Sequence, residues 1–440
     1  MKNHKDISRR KALKMLGLGA AALAAGTIEF KNNPFLGNLQ AKALDGEITP
    51  VDKKLNYKSS EMVSMIGFGC MRFPTNGPGR NAPIDESKAQ ELVDYAYAHG
   101  INYYDTAYGY HGGKSEGVIG RALKKYPRNT WILADKMPSY MIKAKDQVPK
   151  IFEEQLQRCG VDYFDYYLLH TISSIPSYEK VYEEFGGYNY LAEQKKKGRI
   201  KNLGFSFHSD RKCWDHIIDK HPWDFVQIQL NYIDWKEDGE YLYNSLAERK
   251  IPAIIMEPLL GGRLASLNES ANKLLKAKNP DLSIASWAFR YLGSLDNVLV
   301  SLSGMTYMEH LVDNVKTFTN FKPLTLDEHT TLQKAILEYQ NFKRINCTAC
   351  RYCMPCPFEV EIPSVFATYN KLVMEGNVPN KETQNPEEYA AKKATFADAF
   401  RKEFSNGGGP ADCAGCQECL SKCPQHLPIP DLMEKISSEF

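Results

Sequence analysis

The 440 residues are 43% apolar, enough to bury a large core and to form two or three domains. The formal charge of +2 selects no class of partner, and no basic stripe with interleaved aromatics marks a nucleic-acid surface, so that class is set aside. Of eleven cysteines, eight fall in two short runs after residue 346.

Taken in chain order, residues 1–43 read as a targeting segment outside any fold. Ser8-Arg9-Arg10-Lys11-Ala12-Leu13-Lys14 resembles the twin-arginine export signal, with Ala12 where phenylalanine is preferred. An Ala- and Gly-rich run from Met15 to Ile28 follows, short for a transmembrane helix. Cleavage after Ala41-Lys42-Ala43 starts the mature chain near Leu44 and leaves no stable membrane span. This predicts a periplasmic or cell-envelope protein, with the twin-arginine export machinery as a partner. The alternative is a basic N-terminal helix without a signal.

From residue 55 to 320, short apolar runs alternate with amphipathic stretches. The strand candidates are Ser64–Met71, Asn102–Asp105, Trp131–Asp135, Tyr166–His170, Asn202–Ser206, Phe225–Ile228, Ile254–Met256 and Asn297–Ser301. Ala89, Leu92, Val93 and Ala96, and then Val148, Ile151, Phe152, Leu156 and Cys159, recur at helical spacing between them. Eight strand–helix repeats in about 250 residues predict an α/β fold of the (β/α)8 TIM-barrel type. An open doubly wound sheet competes, but no Gly-x-Gly-x-x-Gly follows the first strand. Residues 321–346 read as a linking helix with Leu332, Ala335, Ile336 and Tyr339 on one face. A small α-rich domain over 347–440 follows, with helices near Pro363–Glu375 and Pro386–Phe404 and a break at Gly407-Gly408-Gly409.

Asp105 ends the second strand, Lys136 follows the third and His170 ends the fourth, at intervals of about one β/α unit, so all three reach one rim of the barrel. Tyr110 stands five residues beyond Asp105. The chemistry that needs this set is carbonyl reduction or its reverse. Lysine beside the phenol is expected to lower its pKa, aspartate to hold the lysine, and histidine to orient the substrate oxygen. Read singly, Lys136 is a solvated strand-end residue, His170 a core histidine, and Tyr110 one of several packed tyrosines.

Asp105-Thr106-Ala107 with Tyr110, Lys136 in Ala-Asp-Lys-Met, and His170 in Asp-Tyr-Tyr-Leu-Leu-His resemble the tetrad of the aldo/keto reductase family. Lys114–Leu123 resembles the family's helix after the active-site loop. The resemblance implies catalytic roles for Asp105, Tyr110, Lys136 and His170, a small carbonyl or alcohol substrate, and NADP or NAD as cofactor. It implies that Ser206 and Gln227 grip the nicotinamide amide, that Met256 covers the ring where an aromatic residue is usual, and that Ser303 and Asn314 lie by the adenosine. Phe207 replaces a common asparagine, and His310 stands at the place of an arginine that binds the 2′-phosphate, which weakens the case for NADP over NAD.

The cysteine runs are Cys347-x2-Cys350-x2-Cys353-x2-Cys356-Pro357 and Cys413-x2-Cys416-x2-Cys419-x3-Cys423-Pro424. Three thiolates at this spacing wrap one cubane, and the fourth, before proline, serves the other. They resemble the two-cluster bacterial ferredoxin module, which implies two [4Fe–4S] clusters. One takes Cys347, Cys350, Cys353 and Cys423; the other takes Cys413, Cys416, Cys419 and Cys356. Met354-Pro355 shortens the first run relative to that pattern. Two four-cysteine zinc sites are the competing reading, and disulfides fit such close spacing poorly. Cys70, Cys159 and Cys213 read as buried, inert thiols.

The functional expectation is an exported iron–sulfur oxidoreductase of aldo/keto reductase type. The alternative is an electron-transfer or docking protein whose barrel is a vestigial scaffold and whose clusters serve a redox partner protein. A hydride carries two electrons whereas a cubane takes one, and no flavin motif is visible to split the pair, so the clusters either stabilise the C-terminal region or feed electrons to something in the barrel. Substrate identity resides in loops such as Asn76–Pro83 and Ile172–Asn189, whose specificity the sequence does not reveal.

Overall fold

The computed structural model of the protein describes residues 48–77, 82–340, 344–381 and 383–439. The twin-arginine segment and its cleavage site lie outside the described residues. Eight parallel strands close into a barrel in the order β10-β3-β4-β5-β6-β7-β8-β9. They are β3 (Ile66–Gly69), β4 (Tyr103–Asp105), β5 (Ile132–Pro138), β6 (Phe164–Ile172), β7 (Ile200–Phe207), β8 (Phe225–Gln229), β9 (Ala253–Met256) and β10 (Val298–Ser303). All eight predicted strands are present. Parallel strands buried on both faces read as unbroken apolar runs, and β5 is buried at every position.

The inside of the barrel is packed with side chains, among them Tyr103, Tyr166, Leu168, Phe225, Ile254 and Leu302. An antiparallel hairpin, β1 (Lys53–Asn56) and β2 (Glu61–Ser64), precedes the first barrel strand and was not expected from the sequence. Its Val63 joins the interior cluster, and Asn56 Nδ2 donates to the Tyr166 hydroxyl at 2.8 Å. The outer helices bury the anticipated stripes. Ala89, Leu92, Val93 and Ala96 of Glu86–Ala98 are buried, as are Val148, Ile151, Phe152, Leu156 and Cys159 of Gln147–Cys159, which Gly160 ends in the left-handed conformation. Cys70 and Cys213 are buried as well.

The expected linking helix spans Leu326–Gln340 and belongs structurally to the barrel. Leu332, Ala335, Ile336 and Tyr339 pack with Leu275 and Trp287 into one core. Arg290 grips Glu328 with both terminal nitrogens, at 2.7 and 2.8 Å, which holds that carboxyl down at about 2. The C-terminal module has helices Ile362–Met374, Pro386–Glu403 and Ile429–Ser437. Their core of Val365, Phe366, Phe396, Phe400 and Met433 packs directly on the cysteine loops. No described helix is long and apolar enough to cross a membrane.

Candidate functional site

The catalytic candidates meet at the C-terminal mouth of the barrel. In register, Asp105 pairs with Ala134 between β4 and β5, and Lys136 with Leu168 between β5 and β6. Lys136 and His170 lie inside strands that run two residues further, to Pro138 and Ile172, rather than at the strand ends expected. Lys136 is fully buried; its Nζ donates to Asp105 Oδ1 at 2.6 Å, to the Thr106 carbonyl at 2.7 Å and to the Tyr110 hydroxyl at 3.5 Å. The rings of Tyr110 and His170 meet edge to face with centroids 6.2 Å apart.

The electrostatics correct one expectation. The Tyr110 phenol is not acidified: burial, and then the Asp105 charge, push it well above the ordinary tyrosine value. The reason is geometric, because the Lys136 ammonium spends its two short contacts on Asp105 and Thr106 and reaches the phenol only at 3.5 Å. The phenol is therefore held protonated, the state from which it donates. Burial pulls Asp105 upward while Lys136 opposes it. Burial, then Lys136 and His208, depress His170 well below its usual value, so the ring is neutral and offers one N–H.

The tetrad stands at one end of a cleft of about 610 Å³, lined in part by Asp105, Tyr110 and His170 and extending past Met256 to the end of β10. Ser206 and Gln227 are register partners on β7 and β8, and both face this cleft. Ser206 Oγ accepts the Thr171 N–H at 2.8 Å, whereas buried Gln227 Oε1 has no partner among the described residues. An unpaired buried amide oxygen calls for a donor, and the carboxamide of a nicotinamide supplies one. At the far end Asn314 Nδ2 donates to Ser303 Oγ at 3.0 Å, and Glu309, His310 and Asp313 line the wall. The residues present thus fit a dinucleotide, and Met256 lies along its path.

Sequence reasoning missed part of the wall. His208, just beyond β7, lines the cleft and is pushed down to about 4 by burial, then by His426 and Lys136. Its position after a barrel strand was the available signal. Tyr352, Pro424 and Gln425 of the C-terminal module, with Cys350, close another side. Gln425 and Gln229 exchange amide hydrogen bonds at 2.8 and 3.2 Å.

The eight late cysteines divide between two cavities in the crossed arrangement. Cys347, Cys350, Cys353 and Cys423 line one; Cys356, Cys413, Cys416 and Cys419 line the other, which Cys353 also borders. Burial, then the Glu257 charge and the Cys347 and Cys423 thiols, push Cys350 up to about 11, and burial with the thiols of Cys350, Cys347 and Cys423 pushes Cys353 to about 12. Cys419 is likewise raised, by burial and then by Cys413, Cys416 and Cys356. Among the described residues, no three His, Cys, Asp or Glu are grouped to hold a single metal ion. Four thiols ringing a void fit a polynuclear cluster better than one zinc ion.

The sequence profile of the aldo/keto reductase family matches residues 65–337, more than half of the chain, and that of the 4Fe-4S dicluster domain matches residues 346–427. A probable aldo-keto reductase 1 of Glycine max is 31% identical over 246 residues, which cover 52% of this chain and 66% of that protein. L-galactose dehydrogenase of Arabidopsis thaliana is 27% identical over 323 residues, covering 66% of this chain and 96% of that protein. The holo form of the aldo-keto reductase AKR11C1 from Bacillus halodurans superposes with a TM-score of 0.54 at 25% identity, over 65% of this chain and 96% of that one. With the barrel, the cysteine module and the matched profiles in agreement, the chain belongs to the aldo/keto reductase family, as an oxidoreductase whose barrel carries a 4Fe-4S domain at its C-terminus.

Proposed function

We propose that the protein interconverts a small carbonyl compound and its alcohol, using Tyr110 as general acid and base and a nicotinamide dinucleotide held along the cleft. The observation that carries this reading is the convergence of Tyr110, Lys136, Asp105 and His170 at one end of a cleft whose Gln227 Oε1 lacks a donor. The cofactor, when bound, supplies or accepts the hydride. The chain's own residues do the rest. Neutral His170 donates to the substrate oxygen and fixes the carbonyl, while the protonated Tyr110 hydroxyl delivers the proton as negative charge develops there. Lys136, held by Asp105, keeps its ammonium 3.5 Å from the Tyr110 oxygen on which the charge is left. Ser206 and Gln227 orient the amide of the cofactor, and Met256 covers its ring.

Two carboxylates, Glu309 and Asp313, flank His310 where a 2′-phosphate would lie, which favours the ribose hydroxyls of NADH over NADPH. The cysteine sets support two [4Fe–4S] clusters with Cys423 and Cys356 exchanged between the runs. Export by the twin-arginine route rests on Ser8–Lys14 and places the protein in the periplasm or cell envelope, with the clusters inserted beforehand.

Tyr110→Phe tests the assignment. The variant is expected to lose carbonyl-dependent oxidation of reduced nicotinamide by about 10²-fold or more while still binding the cofactor. A wild-type protein without this activity, which Tyr110→Phe leaves unchanged, favours the electron-transfer reading.

A further inference from the structure

The loop after β9 forms one long wall of the cleft, through Glu257, Pro258, Leu259, Gly261, Gly262 and Ala265. Its backbone is tightly coiled: Glu257, Leu260, Gly261 and Gly262 have φ values of 56°, 50°, 69° and 94°. Glu257 Oε2 accepts the Gly261 N–H at 2.5 Å and closes the turn. A glycine-containing loop beside a ligand cleft is the kind of element that swings aside for exchange. Here the C-terminal module sits on it. Arg263 donates from Nη1 to the Ile345 carbonyl at 2.7 Å and from Nη2 to Asn346 Oδ1 at 3.1 Å. Gly261 lies so close to Thr348 that a Cβ there would collide with the Thr348 backbone. From the turn after β3, one strand removed from β9 around the barrel, Arg72 Nη2 donates to the Thr348 carbonyl at 2.8 Å. The segment that receives these bonds runs straight into Cys347 and Cys350, two residues of the first cysteine cavity. The loop therefore cannot move outward without dragging a segment that is tied to the module's cysteine core.

We propose that the iron–sulfur module latches this loop, with Arg263 as its positioning residue, and makes the nicotinamide dinucleotide a resident group that exchanges slowly. The inference rests on the nicotinamide reading above. It also gives the module a part that needs no one-electron step. With a retained dinucleotide, an alcohol that gives up a hydride and a proton has to be matched by a carbonyl that takes up both in the same cleft.

The test uses the full-length protein with its iron content measured. The protein is loaded with NADH or NADPH, freed of excess ligand by gel filtration and chased with oxidised cofactor, and the fluorescence of the reduced nicotinamide reports release. Wild type is expected to carry the dinucleotide through filtration. Arg263→Ala, which loses charge-assisted hydrogen bonds, is expected to release it about tenfold faster or more. Asn346→Ala, a milder change, is expected to fall between the two, and it serves alone if Arg263→Ala does not fold. Equal release rates in wild type and variants of unchanged iron content overturn the latch and leave nicotinamide use standing. Failure of wild type to bind either dinucleotide overturns both.

Discussion

Replacing Lys136 by methionine keeps the unbranched side chain as far as Cε and removes its charge. In the folded protein Asp105 is 3% exposed, and its Oδ2 already lacks a partner among the described residues. Without the bond from Lys136 to Oδ1, both carboxylate oxygens are left bare in the barrel. Removing one member of a buried ion pair costs about 3–5 kcal/mol, because the surviving charge is uncompensated. At roughly 2–4 °C per kcal/mol for a domain of this order, Lys136→Met is expected to melt about 6–20 °C below wild type. Asp105→Asn combined with Lys136→Met removes both charges and leaves a neutral amide, whose missing hydrogen bonds cost about 1–3 kcal/mol. The double variant is therefore expected to recover a large part of the lost stability and none of the turnover. Thermal unfolding followed by far-ultraviolet circular dichroism, on samples matched for iron content, measures all three proteins. A single variant melting within about 2 °C of wild type, or a double variant no better than the single, refutes the argument that the pair is a buried, mutually dependent unit.

The remaining predictions concern protons, clusters and packing. His208 is neutral in the fold, being depressed from 6.5 to about 4 by burial and then by His426 and Lys136. The unfolded chain therefore binds the extra proton first as pH falls. The stabilising contribution is complete above about pH 6.5 and lost progressively toward pH 4, so His208→Gln should flatten the decline of urea-unfolding stability across that window; an unchanged slope rejects it. Cys423→Ser should cost the protein the cluster shared with Cys347, Cys350 and Cys353, and Cys356→Ser the other one. Electron paramagnetic resonance of the reduced variants should show one cluster signal in place of an interacting pair; loss of the Cys413 set in Cys423→Ser would reject the crossed ligation. In Gly120→Ala the new methyl meets the Cys159 backbone, and such overpacking should destabilise the barrel by about 1–3 kcal/mol in denaturant unfolding.

The barrel strands were legible because nearly all their positions are buried, so that apolar residues dominate each of them even where a Lys, Asp or Gln interrupts the run. The hairpin of Lys53–Asn56 and Glu61–Ser64 was not, because most of its side chains are polar and its exposed positions include the apolar Leu55 and Met62, with Val63 turned into the core. The tetrad was legible from its spacing along the chain, since one β/α unit brings successive strands to the same rim. The protonation of Tyr110 was not, because it depends on which atoms the Lys136 ammonium reaches, and spacing says nothing of that. The crossed cysteines followed from a local pattern, and the structure gathers them as that pattern implies. The role of Tyr352 and Gln425 as cleft wall had no local signal: both lie in or beside the cysteine runs, whose pattern speaks only for cluster binding, and Gln229, 196 positions from Gln425, gives no hint of the pairing. The helix Leu326–Gln340 was read correctly as a helix and incompletely as a linker. Its apolar face is a stripe of the same kind the barrel's own helices carry, and it is satisfied by packing on them.

The pairing of Gln229 with Gln425 also orders events in time. Synthesis runs from the N-terminus, and domains fold as units as they emerge, so the barrel can close before Gln425 has been made. Its cleft at that moment lacks one side. The missing side arrives only when residues 423–425 dock, and Cys423 is held in place with the cysteines of a run translated some seventy residues earlier. Completion of the cleft is thereby made to wait for residues 423–425 and for the cysteine core to assemble, and a chain cut before Cys423 is left with a closed barrel whose cleft lacks this side.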